Sequence, residues 1–325
     1  MPYVTDFCEP LLIQAEHFDD LFFGAVREID EYPEYVCEPR GQKIKETLVS
    51  TLVLKNPRAR LLNNKARDPQ YGFAVGEFLW YWSGRRDLEM MLYYNKRMKD
   101  FSDDGMTLNS AYGYLIKDFH YPVPSFTEDG APTWHVQWNS CRKTLVDDPD
   151  TRRALLIVNQ PKHNVLAAFK GSKDVPCTLS LQFFIRNNKL HLHTNMRSND
   201  AVWGLTYDLF SFTLMQEMML LELRAGGMSD LELGYYYHTA GSLHIYERHF
   251  SMAQEVVKEY LNPGYTAAIP MHPIVIGEVP RLLEFEEALR KGKVLQNDSS
   301  QFTGGIRWMA EQLESQRRKR DAESK

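Results

Sequence analysis

Residues 178–194 read TLSLQFFIRNNKLHLHT. Apolar and polar side chains alternate on both sides of Asn187-Asn188, a pair that accepts the positive φ angles of a two-residue hairpin turn. Two adjacent antiparallel strands are therefore expected mid-chain, and they need a sheet to join and an apolar cover for one face. A cover follows in sequence: residues 207–224, YDLFSFTLMQEMMLLELR, are apolar nearly all round, with Gly226-Gly227 where a helix stops. Such a helix belongs in the interior.

The same patterning places the other elements. Phe18, Leu21, Phe22, Val26 and Ile29 recur at helical spacing and predict a helix over 15–29. Residues 44–54 alternate and are β-branched, which predicts a strand. GFAVGEFLWYWS (72–83) predicts a nearly apolar helix, residues 135–146 a further helix, and TRRALLIV (151–158) a strand behind two arginines. LELGYYYH (231–238) predicts a strand, followed by a loop through Gly241 and a helix from about His249 to Tyr260. QRRKRDAESK (316–325) reads as a solvated tail. Strands and helices in mixed order, with a hairpin, imply an α+β or α/β fold around a mixed sheet.

The 325 residues carry a net charge of −5, which argues against a broad basic face for nucleic acid and leaves room for a local arginine cluster on a small anion. No apolar run approaches the roughly 18 residues that cross a bilayer. The start, MPYVTDFCEP, is acidic where a signal peptide is basic, so a soluble, cytoplasmic protein without membrane contact is expected. Cys8, Cys37, Cys141 and Cys177 are dispersed, with neither a disulfide framework nor a zinc knuckle. His191, His193, His238 and His249 match no zinc signature, and no metal is expected.

Several side chains suit chemistry. Cys177, directly after a proline and at the start of the hairpin, is either a small core residue or a nucleophile. The second role needs positive charge nearby, and Arg152, Arg153 and Arg197 flank the neighbouring strands. In MRSNDAVWGLTYD (196–208), Arg197, Ser198 and Asp200 lie between a strand and a helix, where they either hold a phosphate or carboxylate or simply cap the helix. Arg40-Gly41 is a turn or a phosphate grip. Glu77 and Asp208 are carboxylates in apolar helices, stable only if paired, neutral or facing a wet cleft. His244 and Tyr246 share one face of a strand and suit a sugar hydroxyl.

In order along the chain, VGEFLWYWSG, AYG at 111–113, TRRALLIV, VPCTLSLQFFI, MRSND, GLTYD and HIYERH resemble the motifs of the thymidylate synthase family, which modifies C5 of pyrimidine nucleotides with folate. The resemblance runs from about residue 15 to 290. It implies one catalytic domain over 1–295, a charged helix or tail over 296–325, and a homodimer joined through the sheet. It further implies that Cys177 adds to C6 of the base, that Arg40, Arg197 and Ser198 hold the 5′-phosphate, and that Arg152 and Arg153 reach the partner subunit's phosphate. His244 and Tyr246 would hold the ribose and Asp200 the pterin of 5,10-methylenetetrahydrofolate. Glu77 would organise water near the folate, and Tyr112 would stand by the C5 proton.

Two departures bear on the substrate. GLTYD ends in Asp208 where thymidylate synthases carry Asn. An amide complements uracil, which offers N3–H and O4, whereas a carboxyl complements the unprotonated N3 and amino group of cytosine. Asp here is also the pattern of the family's cytidylate hydroxymethylase branch. The sequence ends RRKRDAESK, where thymidylate synthases have a short apolar tail that seals the folate site, and a less sealed site admits water. The resemblance thus implies a 5-hydroxymethyltransferase acting on CMP or dCMP. The alternatives are reductive methylation of dUMP or a noncatalytic nucleotide-binding homologue.

Overall fold

In the computed structural model, which describes residues 10–126, 132–293 and 297–323, most strands join one mixed sheet. In chain order they are β1 (Leu12–Ala15), β2 (Tyr35–Cys37), β3 (Ile44–Leu54), β4 (Tyr121–Phe126), β5 (Pro132–His135), β6 (Leu155–Ile157), β7 (Thr178–Arg186), β8 (Lys189–Met196), β9 (Asn199–Asp200) and β10 (Glu232–Tyr246). The helices are α1 (Phe18–Glu31), α2 (Tyr71–Trp82), α3 (Leu88–Tyr94), α4 (Gln137–Asp147), α5 (Pro161–Lys170), α6 (Gly204–Ala225), α7 (Phe250–Tyr260), α8 (Val279–Arg290) and α9 (Gly304–Glu323). The sheet runs β1-β3-β10-β8-β7-β6, with β2 added to β3 and β9 to β10, and β4 pairs β5 separately. β10 is parallel to β8 and β9 and antiparallel to β3. The architecture is the mixed-sheet α+β fold expected.

The predicted hairpin is β7–β8. Asn187 and Asn188 adopt φ of 50° and 56°, the backbone that makes a tight hairpin follow the strand twist. The predicted interior helix is α6, whose Leu209, Phe210, Phe212, Leu214, Met218 and Leu223 are buried. Two of its long polar side chains reach across to neighbours: Gln216 donates to the carbonyls of Leu190 and Gly234 on neighbouring strands, and Glu217 lies between Arg58 and Arg60. A buried ion pair is tolerated when further hydrogen bonds satisfy it, and the Ile274 amide also donates to Glu217.

Two expectations are corrected. No loop interrupts the strand at Gly241: β10 continues to Tyr246, and its parallel neighbour changes from β8 to β9 at that point. A Cβ on Gly241 would lie 2.9 Å from the Arg197 carbonyl oxygen, so glycine permits a close approach of backbones that only the tertiary fold reveals. Nor is the stretch from 316 to 323 a solvated tail, since α9 runs through Glu323 and packs on α2 and α8. Ile306, Met309, Ala310 and Leu313 are buried, Arg320 stacks on Tyr93 at 4.3 Å, and Arg317 donates to the Leu289 carbonyl. The charged heads stay near solvent while the stems cover the protein. Among the described residues no helix is long and apolar enough to cross a membrane.

Candidate active site

Hairpin register builds the first half of the site. Thr178 pairs with Met196, so the residues just outside that pair, Cys177 and Arg197, face each other, and the Arg197 amide donates to the Cys177 carbonyl at 2.9 Å. The Arg197 guanidinium is fixed by the carbonyls of Pro176 (3.1 Å) and Val175 (3.3 Å) and by the Ser198 hydroxyl (3.1 Å). Its Nη2 stands 3.5 Å from the Cys177 sulfur, and Ser198 Oγ stands 3.9 Å from it. A half-buried thiol thus shares a corner with a cation and a hydroxyl, an arrangement suited to an anionic sulfur beside an anionic ligand.

The second half comes from helices. Tyr112, after α3, accepts the Thr178 amide at 3.4 Å and stacks between Tyr81 (centroids 5.1 Å apart) and Phe212 (6.1 Å). Burial first, then the neighbouring Cys177 and Asp208, raise its hydroxyl above the ordinary range, so it stays protonated. A cavity of about 140 Å³ lies among Tyr81, Met98, Phe101, Tyr112, Pro176 and Cys177. Glu77 of α2 and Asp208 of α6 stand side by side electrostatically. Burial, reinforced by Asp208 and opposed by the Tyr81 hydroxyl, pushes Glu77 up to about 8. Burial, opposed by the Asn199 amide and reinforced by Asp200, pushes Asp208 up to about 7. Two carboxyls therefore retain protons near neutrality, the condition for proton exchange with a ligand.

The remaining residues ring this centre. Asp200 Oδ1 accepts the amides of Val202 and Trp203, setting the entry to α6, while Oδ2 faces His249 Nδ1 at 3.7 Å. His244 and Tyr246 pack edge to face at 4.9 Å on β10, and β9 is registered against β10 so that Asp200 pairs with His244. Ser242 lies 3.4 Å from His244 Nδ1 and donates to Glu46 at 2.5 Å. Arg40 is exposed in a tight turn with φ of 55°. Its neighbour Gln42 bonds Arg248, which stacks on Tyr246 at 4.0 Å, so the turn adjoins the sugar-binding candidates. Arg152 and Arg153 are not brought to the thiol: β6 runs antiparallel to β7 with Leu155 opposite Gln182, so both arginines lie beyond that pair, toward the hairpin turn. At 3.3 Å per residue that is roughly 20 Å from Cys177, and both side chains are exposed.

Sequence reasoning missed Asn199, Tyr81 and the Arg67–Trp203 stack (4.4 Å) beside Asp200. Only Asn199 had a local signal, its place within MRSND. The histidines weighed as ligands are used otherwise: His191 accepts the Tyr235 amide, His193 bonds Thr239, and buried His238 bonds Tyr236 and is lowered to about 3 by burial. Among the described residues no His, Cys, Asp or Glu cluster fits a metal ion. Cys37, Cys141 and Cys177 are free, and Cys8 lies outside the described residues.

A mixed sheet that presents a thiol and arginine at a hairpin's open end, with two buried helix-borne carboxyls around the tyrosines beside that thiol, places the chain among thymidylate synthase-like folds. The thermostable thymidylate synthase A from Bacillus subtilis superposes with a TM-score of 0.58 over 75% of this chain and 84% of that chain, at 19% identity. The chain belongs to the thymidylate synthase family, whose pattern matches residues 49–272. It is 35% identical over 228 residues to a deoxyuridylate hydroxymethyltransferase of Bacillus phage SP01, covering 70% of this chain and 55% of the relative. It is 31% identical over 160 residues to the deoxycytidylate 5-hydroxymethyltransferase of Enterobacteria phage T2, covering 49% and 58%. The chain thus spans little more than half the length of these relatives.

Proposed function

We propose that the chain is a cytidylate 5-hydroxymethyltransferase: it transfers a one-carbon unit to C5 of CMP or dCMP, with water completing the hydroxymethyl group. Asp208 carries this reading, because a partly protonated carboxyl, which shares Tyr112 as a neighbour with the thiol, can meet the N3 and 4-amino edge of cytosine, an edge that the asparagine of thymidylate synthases does not suit. Arg197 and Ser198, joined by Arg40 from the turn before β3, bind the 5′-phosphate, and His244 and Tyr246 bind the sugar. Cys177 adds to C6, and Asp208 stabilises the charge pushed toward N3, leaving C5 nucleophilic. 5,10-Methylenetetrahydrofolate supplies the one-carbon unit. Asp200 and the partly open ring of Trp203 beside it fit a flat heterocycle with N–H donors. Tyr112 stands by the proton leaving C5. Glu77, able to give up a proton near pH 8, activates the water that attacks the exocyclic methylene. Expulsion of Cys177 then restores the aromatic ring.

The phage relatives favour hydroxymethyl over methyl transfer and support a second substrate reading, uridylate, since one of them is named for deoxyuridylate. The exposed Arg152 and Arg153, far from their own subunit's thiol, support a homodimer in which they complete the partner's phosphate site. Leu48, Val49, Leu155 and Ile157 are exposed on the sheet strands and suit its interface. The test is incubation of the purified chain with 5,10-methylenetetrahydrofolate and each of CMP, dCMP, UMP and dUMP, with mass spectrometry of the nucleotide. Addition of one CH₂O unit to a cytidylate, with tetrahydrofolate released, is expected. Turnover of uridylates alone refutes the cytidylate reading, and formation of dihydrofolate refutes hydroxymethylation.

A further inference from the structure

A neutral carboxyl does not choose between cytosine and uracil. With its proton on one oxygen it donates to cytosine N3 and accepts from the 4-amino group. With the proton on the other it donates to uracil O4 and accepts from N3–H. Asp208 holds its proton up to about pH 7 and so, standing alone, reads both bases.

We propose that Asn199 is the positioning residue that makes Asp208 selective: its amide donates to Oδ2, keeps that oxygen an acceptor and confines any proton to Oδ1. Position 4 of the base is then read by the pair. This inference rests on the reading of a pyrimidine nucleotide as substrate.

Four observations carry it. Asn199 Nδ2 lies 2.7 Å from Asp208 Oδ2. Asn199 is 3% exposed and held in β9, paired with Leu243 of β10, so its amide is placed by the sheet and kept from touching a ligand itself. Its Oδ1 is buried without a partner, so the side chain's hydrogen bonding is spent on Asp208, a poor use of a core position for stability alone. Gly204, one turn before Asp208 on α6, leaves room for the contact: a Cβ there would lie 3.0 Å from Asn199 Nδ2 and 3.4 Å from Asp208 Oδ2.

Without the amide donor, the carboxyl moves its proton to suit either base, and discrimination falls whichever base the parent prefers. The experiment compares calorimetric binding of CMP and UMP, which share phosphate and sugar, by the full chain and by Asn199→Leu, with kcat/KM for both nucleotides alongside. Leucine matches asparagine in size and lacks the donor. The parent ratio is expected to depart from one by more than about tenfold, and Asn199→Leu to bring it about tenfold closer to one, the scale of one hydrogen bond. Melting temperature checks folding, and Asn199→Ala replaces the leucine variant if that one fails to fold. A parent ratio near one, or a variant that weakens both nucleotides equally, overturns the proposal. Failure to bind either nucleotide overturns this proposal and the substrate reading together. A collapsed binding ratio without folate-dependent turnover supports the role of Asn199 and refutes the proposed reaction alone.

Discussion

Asp208→Asn tests the carboxyl at the centre of the site through stability as well as specificity. Burial holds Asp208 near 7 where a free aspartate titrates at 3.8, and at about 1.4 kcal/mol per pH unit this rise corresponds to about 4 kcal/mol. Part of the side chain opens on the cleft, where water screens it, so about 2 kcal/mol is the working figure. The native carboxyl binds its proton more tightly than the unfolded one. Its contribution is therefore complete below about pH 4 and lost as pH rises through about 7. Asparagine does not titrate, and it can still present a carbonyl to the Asn199 amide. Denaturant unfolding of the ligand-free chain at about pH 5 and about pH 8, which leaves out the part already lost below pH 5, should show parent stability falling by about 1 kcal/mol more than that of Asp208→Asn. The same variant should turn from cytidylate toward uridylate, since an amide meets N3–H and O4. An equal pH slope in parent and variant would show that the carboxyl is ionised in the folded chain and refute the reasoning.

Cys177→Ser should lower kcat by at least about 10³-fold while changing nucleotide affinity less than about threefold, as calorimetry beside single-turnover assays will show. Gly241→Ala drives a Cβ to 2.9 Å from the Arg197 carbonyl; about 1–3 kcal/mol of stability should be lost in urea unfolding, together with affinity for the phosphate. Glu77→Gln should be slow at every pH, and its rate profile should lack the limb near pH 8 at which the parent Glu77 changes charge. If the dimer shares its phosphate sites, mixing and refolding Cys177→Ser with an inactive Arg152→Ala/Arg153→Ala chain should restore turnover that neither has alone, and no recovery counts against the shared site.

What could be read from the sequence was what local rules decide. Although the irregularity between Thr178 and Ser180 that sets Cys177 against Arg197 had no local signal, the Asn187-Asn188 turn fixed the register as far as Ser180 and Asn195. The apolar run of α6 and its glycine stop were equally local. The pair of Asn199 and Asp208 was not, because it requires β9 and the first turn of α6 to fold back on each other. Gly241 read as a break because a glycine between alternating residues looks the same whether it ends a strand or admits a neighbouring backbone. α9 was obscured by its charges: the apolar side chains at 306, 309, 310 and 313 form a narrow stripe, and the close approach that buries them depends on Gly72 of a distant helix.

The change of partner along β10 has a consequence for what the cleft can measure. From Leu243 onward the strand is registered against Asn199 and Asp200, so the group proposed to orient Asp208 and the side chains proposed for the sugar hang from one ladder of backbone hydrogen bonds. In the proposed complex the span between base and sugar is gauged against a stiff ruler instead of two independent loops. A nucleotide with the right base and the right sugar but a changed angle between them, such as an arabinoside or a locked pucker, should lose affinity beyond what either altered group accounts for.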